Sequence, residues 1–268
     1  MPLASRRLAA RLYSTTTSPL HRIQSSCRKV ICIGRNYAAH ISELKNPTPT
    51  QPFFFLKPPS SILLANKNDP KGSEPNRSSP KESPPSILRP KGVSLHHEIE
   101  LGLVIGSPIR NLPTTIPLKE TLSYVNNYVL ALDMTARNVQ DDAKRQGLPW
   151  SIAKGFDTFL PLAGPVDKSS LPRPEDVEIW CDVNGKQRQR GRTNLMLFGI
   201  TRVLAEISSV MMLEPGDVVL TGTPEGVGEV KPGDVLECGM RDPESGEVLA
   251  EMKVGVEERE GGFVYSKS

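Results

Sequence analysis

Glu98 and Glu100 stand two residues apart in the run His96-His97-Glu98-Ile99-Glu100-Leu101-Gly102-Leu103-Val104-Ile105. In a strand, residues two apart share a face with Cα atoms about 6.6 Å apart. Both carboxylates then point one way, and Ile99, Leu101, Leu103 and Ile105 point the other. Two carboxylates beside an apolar layer repel each other unless a cation or a proton intervenes. A solvated strand face accounts for the same spacing. A third acid, Asp133, ends the apolar run VLALD and precedes a polar helix start. Two roles stay open for it: helix N-cap, accepting backbone N–H bonds, or partner of the two glutamates. Three carboxylates from two strands make an all-oxygen donor set suited to Mg²⁺ or Mn²⁺, with positions left for water and substrate. Zinc would call on histidine. His96, on the glutamate face, is the one placed to supply it; otherwise His96 and His97 read as structural or supporting groups.

His40 and Glu43 are three apart in a short helical turn, close enough for their side chains to meet. A carboxylate beside an imidazole orients it and raises its basicity, the construction of a water-activating base; a surface contact is the plain alternative. Lys154 lies in WSIAKGFDTF, where apolar and aromatic neighbours make an ammonium costly without an anionic partner. The stretch TGTPEGVG (221–228) has the glycines of a phosphate loop but not its Gly-Lys-Ser/Thr ending. It reads as a tight turn that exposes backbone N–H groups and threonine hydroxyls.

The elements that must position these groups are mostly strands. Apolar runs and alternation predict strands over 30–33, 52–58, 95–105, 124–134, 177–183, 217–221, 234–238 and 248–256. Asn184-Gly185 marks a hairpin turn. Short helices are predicted at 35–44 and 135–145, and the longest at 194–212, capped by Thr193, with Leu197, Ile200, Leu204 and Ile207 at helical spacing. Eleven of the 25 prolines fall between Pro47 and Pro90, so residues 66–91 read as a Pro-rich loop insertion with a mobile polar centre. The expected fold class is α+β, a mixed sheet rolled into a β-roll or sandwich.

The 268 residues carry 33 basic and 30 acidic side chains, four scattered cysteines without a CxxC pair, and no apolar run of membrane-spanning length. The basic excess is local. Residues 1–29 hold Arg6, Arg7, Arg11, Arg22, Arg28 and Lys29 and no acid; the first carboxylate is Glu43. Arg-rich, Ser-rich and acid-poor composition is that of an organelle transit peptide, with cleavage expected after Tyr13. Loss of 1–13 removes three arginines and leaves 30 basic against 30 acidic residues. Residues 1–29 are expected to lie outside the fold as leader and disordered tail, with 30–268 forming one catalytic domain. With 5% aromatics and no basic stripe beyond the leader, neither nucleic acid nor membrane is expected as a partner.

The phrases IGRNYAAH (33–40), FLKP (55–58), HHEIELG (96–102), LDMTARNVQ (132–140), GLPWSIAKGFD (147–157), VNG (183–185) and LTGTPEGVG (220–228) together resemble the fumarylacetoacetate hydrolase family, in family order and over nearly all of the chain from Val30 onward. The nearest branch is the mitochondrial one that handles acylpyruvates and oxaloacetate. The resemblance implies the fumarylacetoacetase C-terminal fold, a homodimer and a place in the mitochondrial matrix. It places Glu98, Glu100 and Asp133 on the metal ligands, for Mg²⁺ or Mn²⁺. His40 and Glu43 fall on a catalytic pair carried by a lid segment, and Lys154 on the active-site lysine. Arg35, Lys57, Gln140 and Thr223 fall on positions that line the substrate. The implied chemistry is C–C hydrolysis of acylpyruvates and decarboxylation of oxaloacetate through a metal-stabilised pyruvate enolate. The alternatives are an oxaloacetate enol–keto tautomerase using the same site, and a catalytically silent member. Water attack would require His40–Glu43, whereas tautomerisation could run on Lys154. Two features depart from close relatives: Asn138 stands where an acid is common, and the loop at 66–91 is longer.

Overall fold

The computed structural model describes residues 18–43, 47–67 and 84–266. Its largest sheet has seven strands. From one edge these are Phe53–Lys57, Val30–Gly34, Val218–Leu220, Ile99–Ile105, Val125–Leu132, Leu160–Asp167 and Ile62–Leu64. Val30–Gly34 runs parallel to Val218–Leu220, which is antiparallel to Ile99–Ile105. The result is the mixed α+β architecture expected from the pattern of short strands. A five-stranded sheet contains Lys186–Arg192, Glu178–Val183, Val235–Arg241, Val248–Glu258 and Ser86–Arg89. Asn184 and Gly185 both take positive φ (52° and 73°) at its first hairpin, as a two-residue type I′ turn requires.

The two faces of the large sheet do different work. Ile99, Leu101, Leu103 and Ile105 enter the main core, shared with Ile179, Leu236, Met252 and Val254 of the five-stranded sheet. Glu100 is on the opposite face, where Val104, Cys32, Val129 and Leu220 pack against Leu20, Ile23 and Cys27. Those last residues belong to the helix Pro19–Ser26 and its cap. The expectation that 1–29 lies outside the fold is therefore corrected for its second half. Ser18 caps the helix by accepting from the His21 backbone N–H, and Leu20 and Ile23 are 2% and 7% exposed. The arginines of this stretch had masked a short amphipathic helix. Residues 1–17, with the transit character and the cleavage position at Tyr13, lie outside the described residues, as does the polar centre of the Pro-rich insertion. The end of that insertion is a strand: Ser86–Arg89 pairs in parallel with Gly255–Glu258.

Two further expectations are corrected. The single strand over 95–105 breaks at Glu98. Leu95–His97 joins a three-stranded sheet with Gly228–Val230 and Thr135–Ala136, while Ile99–Ile105 enters the large sheet. The long helix over 194–212 begins only at Ile200. Asn36 claims the preceding segment: its C=O accepts from the Leu197 N–H, its Oδ1 from the Phe198 N–H, and its Nδ2 donates to the Phe198 C=O. Leu197 is thus outside the helix and 39% exposed. Thr193 is no cap; its hydroxyl accepts from the Val177 N–H and donates to the Pro174 C=O. Glu175 takes the capping role, accepting from the Ile200 N–H at 2.6 Å.

Candidate active site

The antiparallel register sets Ile99 opposite Leu132. The start of one strand and the end of the next thus lie side by side, and the Asp133 N–H donates to the Glu98 C=O at 2.8 Å. One ligand oxygen from each of Glu98, Glu100 and Asp133 lies within 4.8 Å of the others. All three side chains are buried. Asp133 is not a helix cap: the helix Arg137–Gln146 starts from Ala136 without a side-chain cap bond. His96 has no part in the cluster, because the strand break separates it from the glutamate face. Burial, helped by the Arg137 charge, holds its imidazole down at about 4.

Three cations compensate the carboxylates. Lys154 Nζ bridges Asp133 Oδ2 (2.6 Å) and Glu98 Oε2 (2.9 Å) and lies 4.9 Å from the Phe55 ring centroid. Lys57 Nζ donates to Asp133 Oδ1 (2.7 Å) and to the Met134 C=O (3.1 Å). Arg137 donates to Glu98 Oε1 at 2.6 Å and to Gln140 Oε1 at 2.6 Å. Strand alternation explains the pair from Phe53–Lys57: Phe55 and Lys57 share a face and meet Lys154 and Asp133 respectively. Burial raises the Glu98 carboxyl, but Lys154 and Arg137 outweigh it and hold the group well below the carboxylate range. Burial lowers the Lys154 ammonium, yet Asp133 and Glu98 overcome it, so it stays charged. Among the described residues no cation donates to Glu100. Burial first, then Asp133 and Glu98, push its pKa well up, opposed by Lys154 and the Gly222 N–H that donates to Oε2 at 2.6 Å. Gly222 has φ +99°, and a Cβ there would come within 2.7 Å of Asn36 Cβ.

Three buried carboxylates converging on one point, with only oxygen donors, fit a hard divalent cation. Above them opens a cleft to which Arg35, His40, Phe55, Gln140, Trp150 and Thr223 contribute. His40 Nδ1 is 3.3 Å from Glu43 Oε2, and both Glu43 oxygens accept from the Gly226 N–H at 3.2 Å. The helix Ala38–Glu43 is therefore tied to the turn at 221–228. That turn presents N–H groups and threonine hydroxyls as the sequence indicated; the Gly222 and Gly226 N–H groups go to the Glu100 and Glu43 carboxylates, and the Thr221 hydroxyl donates to the Leu101 C=O. Arg35 enters the cleft wall from a left-handed backbone (φ 56°), a conformation a non-glycine residue holds only where its surroundings impose it. Lys57 is the exception among the expected lining residues: wholly buried beneath Asp133, it supports that carboxylate and does not face the cleft.

Sequence reasoning passed over Arg137, Lys144 and Trp150, all of which line the cleft. Arg137, Gln140 and Lys144 recur at helical spacing on Arg137–Gln146, which could have marked one polar face aimed at a site. Asn138 anchors the same helix. Its Oδ1 accepts from the Ser94 N–H at 3.1 Å, and its Nδ2 donates to the Gly92 C=O at 2.9 Å.

Residues 29–256 match the fumarylacetoacetate (FAA) hydrolase C-terminal family. The chain belongs to this family. It is 44% identical over 255 residues to a mitochondrial oxaloacetate tautomerase of Saccharomyces cerevisiae, covering 91% of this chain and 97% of that one. It is 45% identical over 221 residues to a mitochondrial oxaloacetate decarboxylase of Dictyostelium discoideum, covering 82% and 92% respectively. Among solved structures, a yeast fumarylacetoacetate hydrolase family protein superposes with a TM-score of 0.78 at 43% identity, over 91% of this chain and 99% of that one. The fumarylpyruvate hydrolase of Pseudomonas aeruginosa, in complex with Mn²⁺ and pyruvate, gives 0.70 at 33% identity over 87% and 91%. This family member is an enzyme with its cluster of buried acids and cations in place.

Proposed function

We propose that this protein is a mitochondrial enzyme of oxaloacetate, dependent on Mg²⁺ or Mn²⁺, whose central step forms or consumes an enolate of a small 2-oxo acid. The observation that carries the reading is the buried triad of Glu98, Glu100 and Asp133 with the Lys154 ammonium set between two of its members. The names of the tautomerase and decarboxylase relatives support oxaloacetate as substrate and a mitochondrial location; the acid-poor leader supports the matrix. Glu98, Glu100 and Asp133 would hold the divalent cation, which supplies positive charge beside the 2-oxo carboxylate end of the substrate.

The chain's own groups then divide the work. Lys154, kept charged by Asp133 and Glu98, is a fixed donor and positive charge for an enolate oxygen, not a base. Proton transfer then falls to His40, oriented by Glu43. In tautomerisation the C3–H bond breaks, its proton passes to His40, and the imidazolium so formed returns a proton to the C2 oxygen. In acylpyruvate hydrolysis the same pair would deprotonate water for attack on the distal carbonyl, and C–C cleavage leaves the pyruvate enolate. In decarboxylation the C–C bond breaks to CO₂ and that same enolate. Arg35, Gln140 and Thr223, set around the cleft, would receive the substrate's remaining oxygens. The exposed apolar side chains of Leu148, Ile152, Leu195 and Val210 support a homodimer, which sedimentation would reveal.

The test is a paired assay of the purified protein on oxaloacetate and on acetylpyruvate, with Mg²⁺, with Mn²⁺ and with chelator. Enol absorbance is followed alongside pyruvate release. Cation-dependent enol loss without pyruvate identifies tautomerisation as the main activity, and pyruvate release identifies cleavage. No cation-dependent change with either substrate would overturn the proposal.

A further inference from the structure

Gln189 lies on Lys186–Arg192 of the five-stranded sheet, yet its side chain is fully buried and ends beside the cleft. Its four hydrogen bonds fix which way the amide faces. Oε1 accepts from the Ile99 backbone N–H at 3.0 Å and contacts His97 Nδ1 at 2.8 Å. Nε2 donates to the Pro224 C=O at 2.8 Å and to Thr223 Oγ1 at 2.8 Å. A backbone N–H can only donate and a backbone C=O can only accept, so the amide cannot be turned over. His97 must then donate through Nδ1, and Thr223 must accept.

Thr223 is 3% exposed and lines the cleft. Its hydroxyl carries one hydrogen. With Nε2 of Gln189 occupying a lone pair, that hydrogen points away from Gln189, and no acceptor takes it among the described residues. We infer that Gln189 is a positioning residue that sets the Thr223 hydroxyl as a donor into the cleft, aimed at an anionic oxygen of the bound 2-oxo acid. The inference rests on the proposed substrate class for that cleft. Gln189 touches neither the triad nor the substrate; it acts through Thr223. A threonine free to rotate would offer the substrate a lone pair as readily as a hydrogen. Against a carboxylate or enolate oxygen only the hydrogen is attractive, and a bond from a fixed donor to a charged acceptor is among the stronger ones.

The test is a double-mutant cycle on Gln189 and Thr223, read as kcat/KM for oxaloacetate and, separately, as pyruvate affinity by calorimetry with Mn²⁺ present. Thr223→Val and Gln189→Met are each expected to weaken pyruvate binding and lower kcat/KM by about ten- to a hundred-fold. Thr223→Ser, which keeps the hydroxyl, should recover most of that. The double variant should lose less than the product of the two single losses, since the part of the Gln189 effect that runs through Thr223 is already gone. Gln189→Glu, close in shape but an acceptor where Nε2 donates, covers the case in which Gln189→Met does not fold; it should draw the Thr223 hydrogen away from the cleft and again lose less than multiplicatively in the Thr223→Val background. Losses that multiply across the pair, or a Thr223→Val protein that binds pyruvate as wild type does, would overturn the inference. A wild-type protein that ignores oxaloacetate but shows the cycle in pyruvate binding would sink the substrate assignment and leave this one standing.

Discussion

Replacing Lys154 by methionine removes an ammonium only 2% exposed from between two carboxylates at 2.6 and 2.9 Å. The side-chain volume is nearly kept, so the effect is electrostatic. Leaving buried carboxylates without their partner costs about 3–5 kcal/mol. Lys57 still holds Asp133 Oδ1 and Arg137 still holds Glu98 Oε1, which places the expected loss toward the lower figure. For a chain of this size about 3 kcal/mol lowers Tm by roughly 6–12 °C. The sign with pH follows from Glu98, whose carboxyl the native state holds below its ordinary range. Such a group adds stability above its unfolded pKa, and that stability is lost as pH falls through its folded pKa. The gap between wild type and Lys154→Met should therefore be full at pH 7 and close as the medium is acidified through and below the carboxylate range. A divalent cation at about a hundred times its Kd returns about 2.7 kcal/mol, so Mn²⁺ should restore most of the Tm of the variant while its turnover stays about 10²–10³ lower. The assay is thermal unfolding with chelator and with Mn²⁺ across pH. A chelated variant as stable as wild type at pH 7, or one that Mn²⁺ does not rescue, would refute the view that the three carboxylates are ionically balanced and built for a cation.

His40→Asn should lower both acetylpyruvate hydrolysis and oxaloacetate tautomerisation by about 10²–10⁴, because Lys154 is locked as a cation; initial rates with both substrates check this. Leu20→Ala should cost about 2–5 kcal/mol in chemical unfolding, as expected of a core residue at 2% exposure and not of a leader. Asn138→Asp should cost about 1–3 kcal/mol, since a carboxylate cannot donate to the Gly92 C=O; urea midpoints measure it, and activity of the folded variant should persist.

How much of this was legible in the sequence depended on the range of the interaction involved. The triad could be read because strand alternation is local, and Asp133 sits where an apolar run stops. The hairpin at Asn184-Gly185 needed only two residues. The break at Glu98 could not be read, because what ends the strand is a change of partner from one sheet to another, while the side-chain alternation continues across it. The late start of the helix at Ile200 was hidden for a similar reason: Asn36, more than 160 residues upstream, takes the backbone groups that helical spacing had assigned to the helix. The helix at Pro19–Ser26 was obscured by composition. Its apolar residues are few, and their value lies in a sheet face formed by strands much later in the chain. Lys57 was recognised as belonging to the site but not to its underside, a distinction that only burial could make.

The interruption at Glu98 has a mechanical consequence. His97 is seated in one sheet and Ile99 in another, and Gln189, from a third, grips both. Glu98 is the link between them, so its carboxylate is indexed to three sheets at once, as a pin is located by every plate it passes through. A small slip of any one sheet must appear as a displaced carboxylate. Cation affinity would then serve as a gauge of how well the whole barrel-like assembly of sheets is seated, responding to substitutions far from the cleft before unfolding could register them.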